Sequence, residues 1–188
     1  MTGAGQRDMQ TDVSQNRSAR KWTRSELATR AAWTLVHPFF AFSPRLLWGW
    51  RRMMLRTFGA KIGNNVHVFP SVRILIPWTL DIGDDVAVGD RVTLYALGSI
   101  SIGARATVSQ GAHLCAGTHD WRDPSMPLVK PPIHIGADAW ICADAFIGPG
   151  VTIGKRAIVG ARAVAVQDVP DGKIAVGNPA RIVSARDG

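Results

Sequence analysis

The sequence predicts an all-β core, a chain wound into a triangular prism of short parallel strands, preceded by an α-helical segment. Three observations predict it. Aliphatic residues recur at every sixth position, in the triplets Ile62, Val68, Ile74, then Ile82, Val88, Leu94, then Ile102, Val108, Leu114. Each triplet starts twenty residues after the last; past an interruption the spacing resumes at Ile135, Ile141, Ile147, Ile153, Val159 and Ala165. Glycine follows the aliphatic residue at Gly63, Gly83, Gly89, Gly103, Gly136, Gly148, Gly154 and Gly160, and a small residue stands four places on, as at Val66, Val86, Ala106, Ala139, Ala145, Val151, Ala157 and Ala163. Such self-similarity decides the fold before local propensity does. A period of six fits neither a helix face nor strand alternation. It fits one short strand per prism face, with the aliphatic residue inward, the small residue behind it, and glycine supplying unusual backbone angles at the corners. Stacked coils then pair in parallel, roughly 4.8 Å apart. A sandwich would not hold a sixfold register over so long a stretch.

In chain order, residues 1–20 are polar and aperiodic and are expected to be a disordered lead. Residues 21–61 read as a basic amphipathic helical segment. Thr23 and Glu26 have capping-box spacing, and Trp22 and Leu27 that of a hydrophobic staple. The first helix should run from about Arg24 to Val36 and stop before Pro38. Ser43 and Pro44 look like an N-cap and first helical position, opening a second helix that ends near Gly59. Along it Leu47, Trp50, Met54 and Phe58 share one face, with Arg45, Arg52 and Arg56 on another. Residues 62–188 are the repeat domain, from which a loop, 120–134, is extruded. Long irregular insertions on rigid scaffolds carry function more often than not.

Charge is unevenly placed. Residues 1–61 hold eleven Lys and Arg against Asp8, Asp12 and Glu26, and so carry the whole formal charge of +8; residues 62–188 are balanced. Two readings fit the cationic front end: attachment of residues 21–58 to an anionic membrane surface, or a cap on the open end of the prism. Pro38, Pro44 and the charges around them argue against a spanning segment, and no signal-peptide pattern opens the chain. No nucleic-acid module is recognisable. Two cysteines, Cys115 and Cys142, are too few for a disulfide framework and suit a reducing cytoplasm.

The segment from Ile62 onward resembles the left-handed parallel β-helix of the hexapeptide-repeat acyltransferases. IGADAWICADAFIGPGVTIGKRAIVGARAVAVQDVPDGKIAVGNPARI, Ile135 to Ile182, is similar to the galactoside and maltose O-acetyltransferase branch. FGAKIG at 58–63 and GTHDWRDPSMPL at 117–128, behind a Trp- and Arg-rich front end, most resemble the colanic acid biosynthesis acetyltransferases. The resemblance implies left-handedness, a homotrimer, acetyl-CoA as co-substrate with no metal, and a general base at His119, just before the extruded loop. It implies coenzyme contacts at Trp140, Ala143, Ala161, Val166, Gln167 and Arg181, the last within a C-terminal coenzyme-binding tail. Gln167 stands where the galactoside branch has lysine and Ser184 where it has a second basic residue, which leaves Lys155, Arg156 or Arg186 to supply phosphate contacts. Ala96 and Leu97 replace an acidic pair, so simple galactosides are not the expected acceptors.

Histidine suits the chemistry, because imidazole takes the acceptor's hydroxyl proton near neutral pH and returns it to the leaving thiolate. A main-chain carbonyl or a carboxylate, Asp120 or Asp123, should orient its other nitrogen, and a backbone N–H in or beside the Trp140 segment should stabilise the oxyanion. The function this implies is O-acetylation of a saccharide, a lipid-linked unit of a surface or exopolysaccharide, in the cytoplasm or on the inner face of the membrane. Two alternatives are a non-catalytic β-helix docking subunit and a zinc enzyme like the gamma-class carbonic anhydrases, for which His113, His119 and His134 would be the ligands.

Overall fold

The computed structural model describes residues 13–19 and 21–186. From Lys61 onward the chain winds into a prism with three parallel faces. The first face carries Lys61–Ile62, Leu80–Ile82, Ile100–Ile102, Ile133–Ile135 and Thr152–Ile153. The second carries His67–Val68, Ala87–Val88, Thr107–Val108, Trp140–Ile141, Ile158–Val159 and Lys173–Val176, closed by the antiparallel strand Arg181–Ala185. The third carries Arg73–Ile74, Thr93–Tyr95, His113–Cys115, Phe146–Ile147 and Val164–Ala165. Registers follow the sequence spacing: Ile62 pairs with Ile82, Ile82 with Ile102, and Ile135 with Ile153. Every aliphatic residue of the sixfold series is buried, as are the small residues behind them. Each fully buried Ile, Leu or Val contributes about 1.5–3 kcal/mol.

The corners differ from expectation. The repeat glycines do not supply the left-handed backbone; that falls two residues later, on Asn65, Asp85, Arg105, Asp138 and Arg156, with φ between 51° and 60°. Their strain is offset by cross-coil bonds: the N–H of Arg105 donates to Asp84 O (2.8 Å), of Asp138 to Ala104 O (3.0 Å) and of Arg156 to Ala137 O (2.9 Å). Glycine is needed for a different reason. A Cβ on Gly136 would lie 2.5 Å from the main-chain nitrogen of Lys155, so only a bare Cα lets adjacent coils approach.

Three helices precede the prism: α1 (Val13–Ser18), α2 (Arg24–Ala41) and α3 (Trp48–Thr57). Helix α1 lies inside the stretch expected to be disordered; VSQNRS holds no glycine or proline to break it. Residues 1–12 of that stretch, and residue 20, are outside the described residues. The capping box of α2 is present, with Thr23 N donating to Glu26 Oε2 at 2.7 Å. Trp22 holds two cations over its ring, Arg30 at 4.2 Å and Lys130 at 3.8 Å, while Leu27 is half exposed.

Three expectations about the helices fail. Helix α2 passes through Pro38 because Phe40, beyond it, is fully buried and packs on Trp33 and His37; that burial opposes proline's cost of about 3 kcal/mol. Ser43 does not cap a helix. Its hydroxyl donates to Phe40 O (2.7 Å) and accepts from Arg51 Nη1 (2.8 Å), so Pro44 to Leu47 form a turn and α3 starts at Trp48. The buried face of α3 is Arg51, Met54 and Leu55, whereas Leu47 and Trp50, expected to share that face, are a little under half exposed.

Arg51 explains how the helices meet the prism. In the second coil, carbonyls accept from the coil above: Ile82 O from Gly63 N, Val86 O from His67 N, Val88 O from Phe69 N and Leu94 O from Leu75 N. The first coil has no strand above it, and side chains take the place of those amides. Ile62 O accepts from Arg56 Nε and Nη2 (3.0 and 2.7 Å), Val66 O from Arg52 Nη1 (3.1 Å), Val68 O from Arg51 Nε (2.6 Å) and Ile74 O from Trp33 Nε1 (2.9 Å). Buried carbonyls left unpaired are costly, so these residues terminate the sheet edge. Arg52 and Arg56, expected on a different face of the helix from Met54 and Phe58, direct their guanidinium groups to the first coil.

Candidate active site

The interruption after His119 is a β-hairpin. Thr118–His119 pairs antiparallel with Leu128–Val129, and the coil resumes two residues earlier than the sixfold count, where Ile133 N donates to Ser99 O at 2.9 Å. The tip is held by Asp120 N to Pro127 O (3.0 Å) and Met126 N to Asp123 O (2.8 Å). His119 is exposed, and its Nδ1 lies 2.6 Å from Met126 O. A carbonyl only accepts, so in the neutral ring Nδ1 carries the proton and Nε2 is the basic nitrogen. Of the partners expected, the carbonyl is the one found. The carboxylates serve the turn: Asp120 Oδ1 accepts from Arg122 N (3.0 Å), and Asp123 Oδ1 from Ser125 N and Oγ (both 2.8 Å). Trp121 at the tip is two-thirds exposed, with Arg122 over its ring.

The other expected residues fall in two groups. Val166 and Gln167 are exposed on the edge between the third and first faces, the edge from which the hairpin leaves. Trp140 is on the second face, its Nε1 donating to Ser109 Oγ at 2.8 Å. Ala143 and Ala161 stack on the edge between the second and third faces, joined by Arg162 N to Ala143 O at 2.9 Å. Arg181 opens the closing strand of the second face and is exposed. The third face thus separates the two groups, and one chain does not gather them into one pocket.

Among the described residues no group of three or more His, Cys, Asp and Glu is arranged to hold a metal ion. His113 is on the third face between Tyr95 and Phe146, and His134 on the first. Cys115 and Cys142 are free and part-buried, and burial raises both thiols, which disfavours the nucleophilic thiolate.

Residues 132–164 match the family described as bacterial transferase hexapeptide, six repeats. The chain is 45% identical over 154 residues, 82% of its own length and 85% of the relative's, to the Escherichia coli K12 protein named "Putative colanic acid biosynthesis acetyltransferase WcaF". The chain belongs to the hexapeptide-repeat acetyltransferases. Among solved structures, the hexapeptide-repeat acetyltransferase VCA0836 of Vibrio cholerae O1 biovar eltor, complexed with acetyl coenzyme A, superposes with a TM-score of 0.82 at 26% identity, covering 90% of this chain and 93% of that one. A galactoside acetyltransferase in complex with coenzyme A gives 0.78 at 21% identity, covering 93% and 90%, and shares the fold. The left-handed β-helix expected for such acetyltransferases is therefore the fold of this chain.

Three features of this acetyltransferase were not read from its sequence. Met126 supplies a main-chain atom, to which sequence is blind. Arg51 and Arg56 look like surface charge, although Arg51 shares a helical stripe with Met54 and Leu55, and a charge inside an apolar stripe is a signal. Arg30, His37 and Arg73 meet only when α2 lies on the third face.

Proposed function

We propose that the chain transfers an acetyl group from acetyl-CoA to a saccharide hydroxyl in surface polysaccharide synthesis, with His119 as general base. The observation that carries this reading is the Nδ1 contact to Met126 O, which presents Nε2 as the proton acceptor. Nε2 takes the hydroxyl proton as the oxygen attacks the thioester carbonyl. The tetrahedral oxyanion collapses, the C–S bond breaks, and the imidazolium returns the proton to the thiolate. The name of the Escherichia coli relative supports the polysaccharide context, and the Vibrio complex supports the donor. Trp140, Ala143, Ala161, Val166, Gln167 and Arg181 line the coenzyme's path, and no metal takes part.

Because these residues fall into two groups on either side of the third face of one prism, the site is shared between neighbours in a homotrimer, each contributing one group. Mixing His119→Ala subunits with Ala161→Trp subunits tests this. Mixed trimers should regain thiol release from acetyl-CoA with acceptor. Confirmed subunit exchange without any return of activity would refute the shared site. An oriented histidine in a chain of this family favours an enzyme over a docking subunit.

Membrane contact fits the bend after α2 better than the arginines, since Arg51, Arg52 and Arg56 are spent on the prism. Phe39, Phe42 and Leu46 are two-thirds exposed or more, and no helix among the described residues is long and apolar enough to cross a bilayer. On this reading the enzyme works in the cytoplasm, peripheral to the inner face of the membrane. Sedimentation with anionic vesicles should fall for the pair Phe42→Ser and Leu46→Ser; equal sedimentation of variant and parent would argue that the bend stays in water.

A further inference from the structure

Helix α2 touches the third face through Trp33, whose indole donates to Ile74 O. Beside that contact lies a cavity of about 290 Å³ lined by Arg30, Trp33, Thr34, His37, Arg73 and Leu75, with Ile74 at its floor. Arg30, Thr34 and His37 are spaced along one side of the helix, and Arg73 faces them from the first coil. Two arginines and a histidine line it, the Thr34 hydroxyl being spent on Arg30 O at 2.9 Å, and no carboxylate is among the described lining residues.

Cations outnumber carboxylates here: the Arg30 guanidinium has the Trp22 ring at 4.2 Å and a weak electrostatic contact with Glu26, the last of the causes that lower that carboxyl's pKa. Arg30 Nη1 is buried and makes no hydrogen bond to the described protein. A guanidinium nitrogen removed from water without an acceptor is unfavourable, and an anionic oxygen is what would satisfy it. The carboxylate nearest in sequence, Glu26, is bound to Thr23. Arg73 is exposed and takes part in none of the ion pairs found among the described residues; after burial, its charge is the second cause that disfavours protonation of His113 on the same face. His37 is part-buried between aromatic rings.

We propose that this cavity is an anion site that receives the diphosphate of a diphosphate-linked saccharide, the acceptor; the word acceptor rests on the acetyltransfer reading above. Two fixed positive charges match a diphosphate better than a single carboxylate, and the guanidinium fork suits phosphate oxygens. The volume is at the lower limit of small-molecule sites, roughly 300 Å³, which fits a charged linker and leaves the sugar outside. Its place fits as well. Arg73 lies on the first coil and the hairpin bearing His119 leaves the third, two coil spacings of roughly 4.8 Å along the same edge region. That offset, roughly 10 Å, is the span of a sugar unit or two. Lys130, at the return of the hairpin, packs on Trp22 beside Arg30 and fixes the helix relative to the hairpin.

Titration calorimetry of the full chain with inorganic pyrophosphate tests the site without acetyl transfer. Pyrophosphate should bind, and Arg30→Gln and Arg73→Gln should each weaken it tenfold or more, with thermal unfolding and acetyl-CoA binding unchanged. Arg30→Lys, which keeps the charge but not the fork, should fall between. Absence of pyrophosphate binding, or equal binding by the Gln variants, overturns the proposal. Two competitors then identify the source: a nucleoside diphosphate sugar, and a polyprenyl diphosphate saccharide in neutral vesicles. The one that displaces pyrophosphate is the acceptor class; displacement by neither overturns the acceptor assignment. Failure of acetyl transfer with intact pyrophosphate binding would refute the catalytic reading alone, so the two failures are distinguishable.

Discussion

His119 Nδ1 and Met126 O stand 2.6 Å apart across the hairpin, a contact between a ring on one strand and the main chain of the turn that leads into the other. The backbone of Met126 has φ 45°, outside the usual range for a non-glycine residue, and the Asp123–Ser125 bonds hold it there. The hairpin is therefore a holder for one tautomer.

His119→Ala should lower kcat by about 10²- to 10⁴-fold, with acetyl-CoA affinity and assembly unchanged. Steady-state kinetics with a competent acceptor, alongside coenzyme titration, would measure both. Full turnover in the variant would rule out His119 as the base.

Arg51→Met should destabilise the fold by about 2–4 kcal/mol, because it leaves the carbonyls of Val68, Pro44 and Arg45 without their donor. Arg51→Lys should recover only part of this, since an ammonium lacks the fork that serves several acceptors at once. Urea unfolding of the three proteins gives the ranking.

Two glycines make an opposed pair. Gly136→Ala drives a methyl against the backbone of the next coil and should cost about 1–3 kcal/mol or more. Gly49→Ala, in the first turn of α3 where the added Cβ would meet only Arg52 Nη2 at an ordinary contact distance of 3.8 Å, should gain roughly 0.5–1 kcal/mol from helix propensity. Thermal melts should move in opposite directions.

Acid should weaken the fold through two histidines. Burial lowers the pKa of His37, and burial together with Arg73 lowers that of His113. The unfolded chain therefore binds protons that the folded one refuses. Stability is fully present above the ordinary histidine pKa of about 6.5 and is lost as pH falls through the depressed folded values. The melting temperature should drop between about pH 7.5 and pH 5.5; in the double variant His37→Phe and His113→Phe that part of the slope should vanish.

The prism was legible in the sequence because its signal is a repeat: Ile62, Ile82 and Ile102 announce one face without any knowledge of the others. The hairpin was legible as a defect in that repeat, and His119 as the residue at its root. Less could be read where the determinant is relational. Phe40 decides that α2 survives Pro38 only because a core exists for it to enter. Ser43 has a capping residue's chemistry, but Arg51 claims its hydroxyl. The corner glycines were assigned the wrong task because a glycine required by a close neighbour and one required by its own dihedral angle look alike in a sequence. The site is scattered for a related reason: edges of a prism are addressed by position within a coil, and residues close in number can face different neighbours.

The arginines and tryptophan that meet the first coil have a consequence for synthesis. Trp33, Arg51, Arg52 and Arg56 leave the ribosome before Ile62, Val66, Val68 and Ile74, whose carbonyls they receive. When the first coil emerges, its hydrogen-bonding partners are already made, and it then offers an edge to the next coil about twenty residues later. Growth by nearest-neighbour addition is what repeat folds permit, and here chain order sets its direction. The N-terminal helices thus give the solenoid a first edge with its carbonyls already satisfied, to which later turns can be added one at a time.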